Sequence, residues 1–233
     1  MKKVEEFYYY NKSHNWDKKL ENKKSILSFR QSTVAKVTYD RAIDEFYNDL
    51  NSNLQVHTFG CSFTYGHGVK QRETFTHLLG SVNVSVFNHG VRGGGIDTIS
   101  RMVCNAWKKY RHDNIIYIIT LPQIFRRVLF SNKGVAYFAT AQETESVFKN
   151  VDGSEYNLYY DWLHHYELIN TFVGKENIIW GTWGEHKLAK SDVPKDKVDV
   201  YFDCVDYSDE IHPGVESHKN YADILKSLIY DRI

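Results

Sequence analysis

The regular alternation of strand-like and helical segments is the feature that most constrains how this chain folds. Strand-like runs occur at 55–60, 82–88, 115–120, 178–183 and 198–202. Helical patterns separate them, and strands that alternate with helices form a parallel sheet with helices on both faces. The sequence therefore predicts an α/β fold in which ligands bind beyond the carboxyl ends of the strands.

Three apolar or amphipathic segments supply the main predicted helices. In the segment from Asp97 to Tyr110, Asp97 is placed to cap the helix and apolar side chains recur at helical spacing. The segment from Glu155 to Val173 is apolar or aromatic almost all round, which predicts burial on more than one side. The third helix follows Pro213 and is expected to anchor the loop before it to the core.

One stretch after the third strand departs from the alternation. Val128–Phe130 and Val135–Phe138 flank a short segment, 131–134, that ends in glycine, a pattern typical of a β-hairpin. Because the hairpin follows the third strand, we expect it at the edge of the sheet where ligands bind. It fits a rim over a substrate and a plain surface insertion equally well.

The length suits one domain with a preceding extension. At 233 residues, 27.3 kDa and 42% hydrophobic residues, the chain can fill one core but is short for two independent domains. We expect residues 1–53 to form a helical extension packed on the core, including a helix capped by Asp40. Residues 54–233 are then the main domain.

Charge, cysteine content and hydropathy exclude several classes of partner. The 29 basic and 29 acidic residues balance, which argues against a surface for nucleic acid or anionic lipid. Three scattered cysteines indicate a reducing compartment rather than a disulfide framework, and none has metal-ligand spacing. No stretch has the roughly 20 apolar residues of a membrane span, and the N-terminus lacks a signal-peptide core. We therefore expect a cytoplasmic protein without a metal; the sequence does not indicate its oligomeric state.

Two short segments at opposite ends of the main domain carry the side chains of an acyl-transfer triad. Ser62 lies on the turn after the first strand, and Asp209 and His212 lie on one loop near the C-terminus. A serine hydroxyl becomes a nucleophile when a base takes its proton, and the base needs an acceptor on its other ring nitrogen. The chain order Ser, Asp, His is one in which this triad occurs.

A glycine-rich turn after the second strand is placed to bind an oxyanion. It contains Gly90, Gly93, Gly94 and Gly95 and leads into the helix predicted from Asp97. Glycine lets backbone N–H groups approach a ligand closely, and a helix N-terminus adds positive potential. A dinucleotide-binding loop is the alternative, but the glycine order does not match G-x-G-x-x-G and the turn does not follow the first strand.

The segments 60–64, 88–93 and 209–213 resemble the first, second and last sequence blocks of the SGNH (GDSL-type) hydrolases. The resemblance covers about residues 54–233. It implies a flavodoxin-like, three-layer α/β/α fold with a five-stranded parallel sheet. It also implies a serine hydrolase that acts on esters without a metal or an organic cofactor.

The family's site residues can be carried over where the blocks match. The resemblance assigns the nucleophile to Ser62, the base to His212 and the orienting acid to Asp209. It assigns oxyanion donors to the backbone N–H groups of Ser62 and Gly93. These assignments agree with the roles that the residues suggest by themselves.

The chain departs from the family pattern at one oxyanion donor. The family's third block places asparagine just after the third strand. Here the predicted strand ends at Thr120, and the chain continues through Leu121 and Pro122 to Gln123 without an asparagine. Gln123 or the Thr120 hydroxyl could substitute, or the donor comes from another part of the chain. The loss of one such donor costs about a hundredfold or more in turnover.

Two further side chains belong near the predicted site. Arg126 follows the third strand at the same edge, where it either binds an acidic substrate group or pairs with a surface carboxylate. His67 follows the nucleophile segment and either borders the site or is a loop histidine without a ligand role.

The resulting hypothesis is a serine esterase or O-deacetylase that acts on a small-molecule or carbohydrate ester through an acyl-enzyme on Ser62. An O-acyltransferase that uses the same acyl-enzyme is the first alternative. A catalytically silent binding module that keeps the fold is the second, and the missing asparagine is its main support. No nucleic acid or membrane partner is expected.

Overall fold

The computed structural model describes residues 30–31, 54–81, 83–110, 114–124, 126–130, 136–139, 154–184, 193–209 and 211–232. The helix predicted after Asp40 and most of the expected extension lie outside these residues. Within the described part of the chain, every helix is too short or too polar to span a lipid bilayer.

Strands and helices alternate along the chain from residue 54 onward. In chain order the elements are β1 (Arg30–Gln31), β2 (Leu54–Gly60), α1 (Ser62–Tyr65), α2 (Phe75–Leu79), β3 (Val84–Gly90), α3 (Ile96–Lys109), β4 (Ile115–Leu121), β5 (Arg127–Phe130), β6 (Ala136–Ala139), α4 (Ser154–Val173), β7 (Ile178–Trp183), β8 (Val200–Phe202) and α5 (Val215–Tyr230). Short 3₁₀ helices lie at Gln71–Glu73, Lys175–Asn177 and Lys195–Lys197.

The main sheet has five parallel strands in the order β3-β2-β4-β7-β8. Counted along the chain within this sheet, the order is 2-1-3-4-5, which is the flavodoxin-like arrangement. The predicted fold class is therefore confirmed. The strand order reverses between β2 and β4, so the carboxyl end of β2 lies beside the crevice where such folds bind ligands.

Two clusters of buried side chains, one on each face of the sheet, show the three layers. Phe59 of β2 and Tyr117 of β4 pack with α3 and α4 on one face. Val56 and Ile118, which lie three positions and one position away from them along the two strands, pack with α2 and α5 on the other. This alternation follows from the two-residue period of a strand, and it makes the strands of a sheet covered on both sides apolar throughout.

The predicted hairpin is confirmed. β5 and β6 pair in antiparallel fashion, with Phe130 opposite Ala136. β1 pairs with β6 on its other side, so residues from the first part of the chain complete a small three-stranded sheet. This sheet begins directly after the loop that leaves β4.

Two details of the predicted helices are wrong. Helix α3 begins at Ile96 with Gly95 as its N-cap, and Asp97 lies buried in the first turn, where its carboxylate accepts the Thr98 N–H at 2.7 Å. The tight packing of Gly95 against the Arg126 carbonyl sets where the helix starts, and a local capping pattern cannot reveal that contact.

The expectation that helix α4 is buried on more than one side is wrong, because its described side chains bury one stripe. The buried apolar side chains of this stripe are Leu158, Trp162, Tyr166, Ile169 and Val173. Tyr160 and Phe172, on other faces, are 47% and 40% exposed. The helix therefore packs on the sheet with one face only. An almost wholly apolar sequence did not reveal this, because apolar side chains also make up much of a protein surface.

Candidate active site

Ser62 lies where the chain leaves the carboxyl end of β2. It is the first residue of the short helix α1 and is 8% exposed. The N–H groups of Tyr65 and Gly66 close this helix onto the carbonyls of Cys61 and Ser62, at 3.0 and 3.1 Å. The segment 60–68, here called the nucleophile turn, therefore presents Ser62 at a fixed position beyond the sheet edge.

The end of β3 is packed directly against the nucleophile turn. A Cβ atom on Gly90 would lie 2.3 Å from the Tyr65 nitrogen, so only glycine allows the two backbones to approach this closely. Asn88 joins the same elements, because its Nδ2 donates to the Thr64 carbonyl and its Oδ1 accepts the Gly90 N–H, both at 2.9 Å. The glycine-rich turn that contains Gly93 thus leaves the sheet beside Ser62.

The segment 206–214, here called the acid–base loop, holds Asp209 and His212 in one geometry. The Ser208 N–H donates to the His212 carbonyl at 2.8 Å and closes the loop. Asp209 Oδ1 accepts the N–H groups of Ile211 and His212 at 2.8 and 2.7 Å, and Asp209 Oδ2 lies 2.8 Å from His212 Nδ1. A carboxylate only accepts, so the shared proton is on Nδ1 and Nε2 is the basic nitrogen.

The environment stabilises opposite charge states in the two side chains. Burial opposes ionisation of Asp209, but hydrogen bonds from Ile211, from the His212 N–H and from the His212 ring outweigh it and lower its pKa to about 2. Burial also lowers the pKa of His212, although the Asp209 carboxylate acts to raise it, and the charges of Arg92 and Arg126 lower it further. Asp209 is therefore ionised and His212 neutral at neutral pH, the states that an orienting acid and a general base require.

The acid–base loop packs His212 onto the nucleophile turn. The His212 ring contacts Phe63 and His67 edge to face, with centroids 5.6 and 4.4 Å apart. Both residues follow Ser62 in the nucleophile turn, and the His67 N–H donates to the Ser62 carbonyl at 3.0 Å. The two distant sequence segments thus converge at one place in the fold.

The convergence stops short of a complete hydrogen-bonded triad. Among the described residues, no hydrogen bond joins the Ser62 hydroxyl to His212. Contacts of this kind are often longer without substrate and tighten when it binds.

Gln123 and Arg126 lie together on the loop after β4. Arg126 Nε donates to Gln123 Oε1 at 3.3 Å, and the Arg126 N–H donates to the Gln123 carbonyl at 3.2 Å. The Arg126 carbonyl touches Gly95, which places this loop against the glycine-rich turn. Together with its effect on the pKa of His212, this places Arg126 at the sheet edge that carries the candidate site.

The Thr120 hydroxyl does not belong to this site. It lies 3.3 Å from the Tyr221 hydroxyl, and both residues are fully buried in the core on the α5 side of the sheet. The expectation that Thr120 could replace the family's asparagine is therefore wrong, because the direction of its side chain is set by its place in the strand.

Sequence patterns did not reveal Asp206, which ties the acid–base loop to α5. Its two carboxylate oxygens accept the N–H groups of Glu216 and Ser217 at 3.1 and 2.7 Å. In return, Ser217 Oγ accepts the N–H groups of Val205 and Asp206 at 3.0 Å. Asp206 lies too far along the chain from α5 for the usual capping spacing to indicate this role.

No protein-family model and no curated protein matches the chain. Among solved structures, a member of the lipolytic protein G-D-S-L family from Veillonella parvula DSM 2008 is similar at 14% identity and a TM-score of 0.48, over 75% of this chain and 96% of that chain. The SGNH-hydrolase family esterase AlinE4 is similar at 13% identity and a TM-score of 0.36, over 58% of this chain and 61% of that chain. A mutant of AlinE4 is similar at 12% identity and a TM-score of 0.36, over 78% and 74%. By their names, these proteins belong to the GDSL/SGNH-hydrolase family.

Proposed function

We propose that this protein is a serine hydrolase that cleaves carboxylic esters through an acyl-enzyme on Ser62. The observation that carries the proposal is the Asp209–His212 pair, joined at 2.8 Å and packed against the turn that presents Ser62. An isolated Asp–His pair of this kind is common in proteins. The position of this pair beside the carboxyl end of β2, where flavodoxin-like sheets bind ligands, makes a catalytic role the better explanation.

The proposed reaction follows from the protonation states of the site. Ser62 Oγ attacks the ester carbonyl while His212 Nε2 takes its proton, and Asp209 stabilises the imidazolium that forms. His212 then gives this proton to the leaving alcohol, which leaves the acyl group on Ser62. A water molecule, activated by His212 in the same way, releases the acid and restores the serine.

Three donors are proposed for the oxyanion. Ser62 is the first residue of α1, where a backbone N–H has no partner within the helix. Gly93 lies in the turn beside it, with a positive φ of 79°. Gln123 is the third candidate: its Oε1 accepts from Arg126, which orients its NH₂ group as the donating end. Such donors stabilise the transition state strongly because they are already in position before the reaction begins.

The proposed substrate is a small-molecule or carbohydrate ester. The charges of Arg92 and Arg126 act on His212, so two cationic side chains are within electrostatic reach of the site. We propose that Arg126 binds an acidic group of the substrate. An O-acyltransferase would use the same acyl-enzyme, and it differs only in that an alcohol rather than water accepts the acyl group.

A fluorophosphonate probe tests the proposal directly, because it reacts only with an activated serine. We expect wild-type protein to be labelled on the peptide that contains Ser62, and Ser62→Ala to remain unlabelled. Ser227→Ala is the matched control, since Ser227 is exposed on α5 away from the site. Absence of labelling in folded wild-type protein would contradict the proposal and support a binding module.

Product analysis with a simple acetyl ester then separates hydrolysis from transfer. A hydrolase releases acetate at the same rate whether or not a sugar alcohol is present. Accumulation of the acetylated sugar in place of acetate would instead identify an acyltransferase.

A further inference from the structure

We propose that His67, Asp209 and His212 form a binding site for zinc or a similar divalent transition metal, and that occupation of this site inhibits the enzyme. The inhibitory part of this inference rests on the function proposed above. The binding part stands on the side chains alone.

The three side chains are close enough to share one ion. One ligand atom from each lies within 4.8 Å of the others, in a group of two imidazoles and one carboxylate. Zinc binds such atoms at about 2.0–2.2 Å, so tetrahedral ligands lie about 3.3 Å apart. His212 Nδ1 and Asp209 Oδ2 are already 2.8 Å apart. The ring nitrogen of His67 must still move closer to these two atoms, by a distance that a rotation of its ring can supply.

The backbone around His67 holds it against the other two ligands. Its N–H donates to the Ser62 carbonyl at 3.0 Å, and its carbonyl accepts from Ser208 Oγ at 3.3 Å. Gly68 has a φ of 89°, and a Cβ atom there would lie 2.1 Å from Ser208 Oγ. The nucleophile turn and the acid–base loop are thus joined beside His67, which makes the group a prearranged site rather than a chance encounter of surface chains.

The composition of the group determines which ions it prefers. Neutral imidazole nitrogen suits zinc, copper, cobalt and nickel, whereas magnesium and calcium prefer an all-oxygen shell. Arg92 and Arg126 add positive potential that weakens the binding of any cation. Ions that form strong bonds to nitrogen overcome this repulsion, and magnesium does not.

Metal binding and catalysis compete for His212. An ion on Nε2 occupies the lone pair that must take the Ser62 proton. An ion on Nδ1 takes the place of the proton shared with Asp209, and that proton moves to Nε2, so Nε2 no longer has a lone pair to accept the Ser62 proton. Either mode of binding stops general-base catalysis, and a chelator restores it.

Direct binding is measured first. Isothermal titration with zinc, and the visible absorption of bound cobalt, report the site whether or not the protein is active. We expect one site in wild-type protein and an affinity at least about tenfold weaker in His67→Phe, since loss of even an outer partner of a metal ligand costs that much. His67→Phe keeps an aromatic ring against His212, and His67→Gln is a second variant that keeps a polar side chain in the loop.

His164→Phe is the matched control, because His164 is an exposed histidine on α4 that is not part of the group. We expect it to bind zinc as wild type does. Equal zinc affinity in wild type and both His67 variants, or binding of magnesium at the same site with similar affinity, would overturn the proposal.

Inhibition is measured as the rate of fluorophosphonate labelling with zinc divided by the rate with chelator, separately for each variant. We expect this ratio to fall with zinc in wild type and in His164→Phe, and to need at least about tenfold more zinc in the His67 variants. Zinc binding without any change in labelling would refute the inhibitory role. Absence of labelling even with chelator would refute the proposed function, while the titration would still decide whether the metal site exists.

Discussion

The nucleophile turn and the acid–base loop meet at one site, but different groups hold them in place. Main-chain packing fixes the nucleophile turn, where Gly90 touches the backbone of Tyr65 and allows no side chain between them. Two carboxylates fix the acid–base loop. Asp209 accepts the N–H groups within the loop, and Asp206 accepts those at the start of α5.

This difference determines how each region tolerates substitution. A turn fixed by backbone contacts is displaced when a Cβ atom is added, whatever the chemistry of the new residue. A loop fixed by carboxylates keeps its shape as long as oxygen acceptors remain, but it is sensitive to a change in charge. The two carboxylates also differ from each other, because that of Asp209 bonds an imidazole, whereas that of Asp206 accepts the N–H groups of Glu216 and Ser217.

The largest effect is expected from Asp209→Asn. The amide oxygen still accepts the N–H groups of Ile211 and His212, so we expect the fold to remain. Its NH₂ group cannot accept a proton from Nδ1, so the ring is held in the wrong tautomer and labelling of Ser62 slows by about 10⁴-fold. The measurement is the second-order rate of fluorophosphonate labelling, together with the thermal unfolding midpoint.

Asp206→Asn is the control, since it changes the other carboxylate of the same loop without touching the imidazole. It should label at a rate near that of wild type once corrected for the folded fraction. If Asp209→Asn also labelled within about tenfold of wild type, the assignment of Asp209 as the orienting acid would be wrong.

Gly90→Ala is expected to have the next largest effect. The added Cβ would lie 2.3 Å from the Tyr65 nitrogen and 2.7 Å from the Thr64 carbonyl carbon, and backbone atoms cannot rotate away. We expect the nucleophile turn to shift and labelling to slow by about a hundredfold, the usual cost of a displacement near 1 Å.

Gly94→Ala in the same glycine-rich turn is the matched control. Its Cβ would meet the Val91 carbonyl at 3.1 Å and other atoms only beyond that, so a small adjustment accommodates it. Equal losses in the two alanine variants would mean that the glycine-rich turn as a whole, rather than the contact with Tyr65, sets the position of Ser62.

The sequence predicted the architecture well because its signals are local. Five apolar runs separated by helical patterns suffice for a parallel sheet covered on both faces, and the observed strands agree with the predicted ones to within about two residues. The Asp209–His212 pair could also be predicted, because both residues lie on one short loop and an Asp three residues before a His can reach its ring.

Contacts between distant parts of the chain could not be predicted. The position of Asp206 on the N–H groups of α5 depends on how the loop folds back, and the burial of Thr120 depends on its register in β4. The approach of His67 to His212 has the same origin, since His67 lies far from the acid–base loop in sequence. The contacts of Thr120 and His67 are consequences of the sheet bringing distant segments together, whereas that of Asp206 depends on the path of one loop.

A second histidine, His218, allows the comparison to be tested through pH, because it is buried on α5 and has no role in the proposed mechanism. Its Nδ1 accepts the Phe75 N–H at 3.2 Å, and burial lowers its pKa from an ordinary 6.5 to about 4, although Asp206 acts to raise it. Between pH 4 and pH 6.5 the unfolded chain therefore binds more protons at His218 than the folded protein does. The stabilisation is complete above pH 6.5 and is lost as the pH falls towards 4, by about 2 kcal/mol between pH 7 and pH 5.

The measurement is the free energy of urea unfolding as a function of pH. His218→Asn places an amide oxygen near the position of Nδ1 and does not titrate, so we expect its stability to fall less over the same range. Parallel pH profiles for wild type and His218→Asn would show that another group controls the acid sensitivity.

The smallest effect is expected from Asp206→Ala, and it concerns stability rather than chemistry. Removal of the carboxylate leaves the N–H groups of Glu216 and Ser217 without their acceptor, and loss of a helix cap costs about 1 kcal/mol. Asp223→Ala is the matched control, because Asp223 pairs only with Lys226 on the exposed face of the same helix. Urea unfolding should separate the two variants. A cost for Asp223→Ala equal to that for Asp206→Ala would mean that the loss comes from helix charge in general, and the acid–base loop would then owe its position to Asp209 and the loop backbone alone.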